Sequence, residues 1–163
     1  MQSTLTLEPL PYEQWEATRT TLHLWCQIVG KIALRASALR NHWWNVTLEP
    51  RPHGPTTRLL HSGGRFFEIE LDLLEHATVV RAHDVREPAT FPLYDGLSVA
   101  GFYAQLKAAL RSLGIVVPIL ARPYGLPITT PFAQDREHHA YDAAAVRRWW
   151  NVTLWSTGVF EDF

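Results

Sequence analysis

The chain has 163 residues, 47% of them apolar, with a net charge of −1 and a single cysteine. That length and apolar content suit one domain with a packed interior and exclude a disordered chain. The near-neutral balance makes nucleic acid and anionic membrane poor partners, no apolar run approaches the roughly 18–20 residues of a membrane span, and Cys26 alone permits no internal disulfide and fits a reducing cytoplasm.

The opening MQSTLTLEPLPYEQW lacks the basic start and apolar stretch of an export signal, so a cytoplasmic location is expected. Pro11, with Glu13 and Glu16 behind it, reads as a helix start. Trp15, Thr18, Leu22, Trp25, Val29, Ile32, Ala36 and Leu39 recur at steps of three and four, a helical stripe. Gly30 weakens the pattern, which predicts helix to about that residue and leaves the continuation open.

Next comes the first of two copies of WWNVTL, Trp43–Leu48, closed by Glu49-Pro50-Arg51-Pro52. Aromatic and β-branched residues bounded by prolines predict a strand, with His42, Trp44, Val46 and Leu48 on one face. After the loop RPHGP, short strands are expected at Thr57–His61, RFFEIELDL, Thr78–His83 and Phe91–Tyr94, with turns at SGG and near Glu75–His76. RFFEIELDL alternates Phe67, Ile69, Leu71 against Glu68, Glu70, Asp72, one apolar face and one expected to be solvated, with Arg81 a neighbour for the acids. A second helix is predicted over Leu97–Leu113, capped by Ser98 and stopped by Gly114. Ile115–Leu120 reads as an apolar strand and PYGLPITTP as loop.

The second WWNVTL, Trp149–Leu154, follows Asp142 and three alanines, a helix cap and strong helix formers; Gly158 can end that helix. The same hexamer is thus expected as strand once and helix once. The flanks of the copies are unalike, which speaks against a repeat. The sequons at Asn45 and Asn151 read as unmodified without an export signal. The sum is an α+β domain: an antiparallel sheet of about five strands with three helices packed on one face.

The stretches TLHLWCQIVGK, NHWW, FEIELDLLEH and DREHHAYD, in this order, resemble the motif set TLHxxxQIVGK, NHWW, FEIxxDxxxH and DRxHxxYD of a bacterial family catalogued only as a domain of unknown function. The resemblance covers almost the whole chain and brings no activity. Members of that family are roughly twice as long, so the resemblance implies that this chain matches an N-terminal half. The missing half would be supplied elsewhere or replaced by self-association.

Thr20, His23, Gln27 and Lys31 form the other stripe of the first helix. Neutral hydrogen-bonding groups with one cation suit a cleft wall that orients a small polar ligand, with His42 a further candidate. His23, His42, Asp135 and His138 could form an imidazole and carboxylate set for a divalent metal. Their spacing matches no ligand motif, and Asp135 and His138 equally suit a turn at a helix entrance. No GxSxG, HExxH, CxxC or phosphate loop is present. A ligand-binding or protein-interaction module without catalysis is expected first, with exposed Trp43 or Trp155 marking a contact surface. The alternative is a small metal-dependent enzyme with its His/Asp site at the first helix.

Overall fold

The computed structural model describes residues 7–163; the reading of an absent export signal falls in part on residues 1–6 and lies outside them. Three helices, α1 (Tyr12–Ala36), α2 (Val99–Ser112) and α3 (Ala143–Glu161), accompany six strands. The strands are β1 (Glu49–Pro50), β2 (Pro55–Thr56), β3 (Leu60–Ser62), β4 (Arg65–Asp72), β5 (Ala77–Ala82) and β6 (Ala89–Pro92). All pairs are antiparallel, in the order β1-β2-β4-β5-β6. β2 meets β4 at Glu70, and β3 meets it at Phe67, Phe66 and Arg65. Both lie along β4 as one interrupted edge, so the sheet is five strands wide.

The pleat of β4 sets the layers. Phe67, Ile69 and Leu71 register with Ala82, Val80 and Thr78, and Thr78 with Phe91, so these share one face. That face joins Trp25, Ile28 and Ile32 of α1, Phe102 and Leu106 of α2, and Val146 and Trp150 of α3 in one buried cluster. Trp25 stacks on Phe102 with centroids 5.0 Å apart, and on Tyr141 at 5.5 Å. The expected α+β architecture, with helices on one face, is the one observed.

α2 matches its expected caps: Ser98 accepts from the Gly101 N–H, and Gly114 takes φ +70°, which favours glycine. α1 passes through Gly30 to Ala36, because Ile32, Ala33 and Ala36 are buried and their packing outweighs about 1 kcal/mol for one helical glycine. Its end is closed by Ser37, whose hydroxyl donates to the Ala33 carbonyl at 2.6 Å. α3 likewise runs past Gly158 to Glu161.

Two expected strands are absent. Ile115–Leu120 buries Ile115 but, among the described residues, pairs with no strand; Pro118 removes a ladder donor. The first WWNVTL is not a strand either. Asn41–Trp43 forms a 3₁₀ turn, the chain reverses through Val46, and pairing begins only at Glu49. His42 and Trp43 take φ of 53° and 61°. Such left-handed residues cost on the order of 1–3 kcal/mol each and persist only where surroundings over-determine them. Here Asn45, almost fully buried, accepts from the Arg40 N–H at 3.2 Å and donates to Ser37 Oγ at 3.2 Å. Among the described residues no helix is long and apolar enough to cross a membrane.

Candidate functional site

The reversal after α1 has a consequence for the surface. It folds the 43–48 segment back beside the helix, leaving a cleft of about 900 Å³. One wall is α1, from His23 and Cys26 through Gln27, Gly30 and Lys31 to Leu34. The other carries Trp43, Val46 and Leu48, and Tyr124 stands at the rim. Trp43 and Tyr124 are 59% and 83% exposed, so two aromatic rings are presented to solvent beside a mostly apolar floor. A smaller depression, bounded by Trp15, Arg19 and Trp149, shares His23 and Cys26 with the cleft.

Of the stripe expected on α1, His23, Gln27 and Lys31 line this cleft, while Thr20 does not. The Thr20 hydroxyl donates instead to the Glu16 carbonyl one turn back, at 2.9 Å. Gln27 is engaged with protein. Its Nε2 donates to the Tyr124 carbonyl at 2.8 Å, and its Oε1 accepts from the Tyr124 N–H at 2.9 Å. This two-point pairing lets one side chain pin a loop 97 residues away onto α1. Gln27 therefore positions Tyr124 at the rim, and its amide also lies 3.4 Å from His23 Nε2. Lys31 is half-buried and, among the described residues, forms no ion pair. Burial pushes the Cys26 thiol up to about 12, which keeps it protonated and a poor nucleophile at neutral pH.

The four residues considered for a metal do not gather. His23 lines the cleft, whereas His42 lies in the strained turn, its ring 6.4 Å from that of Trp44. Asp135 and His138 bind each other, His138 Nδ1 lying 2.8 Å from Asp135 Oδ2. Their backbone carbonyls accept from Ala100 and Val99, so they close the start of α2, a helix entrance other than the one just after them. Among the described residues, the group with metal-like spacing is His53, Glu70 and Asp72.

The acidic face of β4 also differs from expectation. Glu68 is half-exposed, but Glu70 and Asp72 are buried. Arg81 does reach them as neighbour, 2.6 Å from Glu70 and 3.5 Å from Glu68. Burial would raise the Asp72 carboxyl, but N–H donors from Glu75 and Leu74 and the ring of His53 outweigh it and hold the group below its usual range. Burial and, secondarily, the Asp72 charge push the Tyr141 phenol up; its oxygen lies 2.8 Å from His76 Nδ1. Trp155, expected as a contact residue, is exposed on α3 with Val159 and Phe160.

Leu34, Val46, Leu48 and Tyr124 escaped sequence reasoning. Their shared cleft depends on a turn read as a strand and on a loop whose partner is Gln27. The fold and site define an α+β domain with an apolar, aromatic-rimmed cleft along its first helix. The chain belongs to the family of unknown function DUF5996, whose model matches residues 7–163. No curated protein and no solved structure matches it.

Proposed function

We propose that the domain is a ligand-binding module, and that its cleft takes a small amphipathic anion. The observation that carries this reading is Lys31: a half-buried cation on the wall of an apolar cleft, without an ion-pair partner among the described residues. A lysine so placed keeps its ammonium accessible while its stem packs on apolar surface. An anionic head there gains a charge-assisted hydrogen bond in a partly desolvated setting. The apolar body of the ligand would lie on Val46 and Leu48, flanked by Trp43 and Tyr124. His23 supplies orientation at the far end, and Gln27 acts by holding Tyr124.

The probe of choice is 8-anilinonaphthalene-1-sulfonate, an aromatic anion whose fluorescence reports an apolar site. We expect saturable binding of one probe per folded chain. A hydrogen bond to a charged group contributes about 1.5–3 kcal/mol, so Lys31→Met should weaken binding at least about tenfold while leaving thermal stability unchanged. Equal affinity in the wild-type protein and Lys31→Met, or no saturable binding at all, overturns the reading.

A further inference from the structure

A second place in the molecule, on the sheet face away from the core, combines an imidazole with two carboxylates. Glu70 and Asp72 are two residues apart on β4 and so project from the same side of the pleat. Both are buried, which is unusual for neighbouring acids. Arg81 reaches Glu70, but the contacts of Asp72 are backbone N–H groups and the His53 ring, none of them a permanent full charge. Two buried carboxylates side by side repel one another, and the Arg81 guanidinium pairs with Glu70 alone of the two.

His53 is brought to this place by a tightly built turn. Arg51 and Gly54 exchange backbone hydrogen bonds at 3.1 and 3.2 Å, and the His53 carbonyl accepts from the Leu73 N–H at 2.8 Å. A Cβ at Gly54 would lie 1.8 Å from the Leu71 carbonyl oxygen, so glycine is required for the turn to sit against β4. From α3, Trp150 Nε1 donates to the Pro52 carbonyl at 3.4 Å. The imidazole, with 57% of its side chain exposed, stands over Asp72, Nδ1 to Oδ2 3.2 Å. One donor atom from each of His53, Glu70 and Asp72 lies within 4.8 Å of the other two.

We propose that His53, Glu70 and Asp72 form a binding site for one divalent first-row transition cation. A mixed nitrogen and oxygen set of three ligands suits zinc or manganese and leaves further coordination positions to solvent. Ligand atoms sit about 2.0–2.2 Å from such an ion, so the three draw inward on binding. The exposed His53 ring is free to do so, and Glu70 exchanges its contact with Arg81, itself half-exposed, for the metal. This site is independent of the cleft, with which it shares no residue.

The test is titration of the full chain with zinc chloride at neutral pH, followed by calorimetry and by thermal unfolding. One ion per chain and a rise in Tm with zinc concentration are expected, since a ligand of the folded state alone stabilises it. His53→Ala should weaken zinc binding by more than the roughly tenfold that loss of even an outer partner costs. Glu70→Gln, nearly isosteric, should weaken it as well. Absence of binding to the wild-type chain overturns the proposal. So does unchanged affinity in both variants, which would place the ion on other histidines.

Discussion

The two copies of WWNVTL are identical in sequence and opposite in fate. In the first, both tryptophans face solvent, Trp43 at the cleft, while the asparagine is buried and holds the turn together. In the second the pattern inverts. Trp150 is buried in the core, Trp149 packs half-buried against Trp15 with centroids 6.3 Å apart, and Asn151 is only half-buried in mid-helix. The threonines show the same contrast in miniature. Thr47 donates to the Trp44 carbonyl three residues back, and Thr153 to the Trp149 carbonyl four back, the spacings of a turn and of a helix. Six residues do not carry enough preference of their own to choose; their flanks and the surface offered to them choose. Asp142 caps the second copy's helix by accepting from Ala144 and Ala145. The first has a helix ending behind it and a sheet beginning ahead.

Four substitutions probe this contrast. Trp150→Ala should have the largest effect, about 3–5 kcal/mol of lost stability in chemical denaturation, because a fully buried ring leaves a cavity that its neighbours only partly fill. A loss as small as that of an exposed tryptophan would contradict its place in the core. Asn45→Ala comes next, about 1–3 kcal/mol, since an almost fully buried side chain loses its two hydrogen bonds, to Ser37 and Arg40. Probe binding should fall with it as the turn opens. The matching Asn151→Ala should stay within about 0.5 kcal/mol in the same denaturation series. Equal losses at the two asparagines would erase the proposed difference. Trp43→Ala is the smallest in stability, again within about 0.5 kcal/mol, yet it should weaken binding of the sulfonate probe several-fold. Undiminished binding would remove Trp43 from the cleft's working surface.

Much of the frame was readable beforehand. α2 carries its cap and stop in sequence, and β4 its alternation, because both depend on residues a few positions apart. The cleft-facing stripe of α1 was visible as residues spaced along one helix, which is why His23, Gln27 and Lys31 stand together. The role of Gln27 was not, since its partner is Tyr124. His53 gave no signal: its place over Asp72 requires the Gly54 turn to pack on β4 and Trp150 to reach Pro52. Asp135 and His138 were marked by their chemistry, but that chemistry serves the start of α2.

By itself, then, the sequence determined the α+β class, the α2 and β4–β5 elements and the face of α1 that meets solvent. These follow from periodicity and capping, which act over one or two turns of chain. Tertiary structure alone decided the fate of the first hexamer, the far wall of the cleft and the meeting of His53 with Glu70 and Asp72. Those arrangements rest on contacts between distant segments, where burial and hydrogen bonding outweigh local preferences of a few tenths of a kcal/mol per residue.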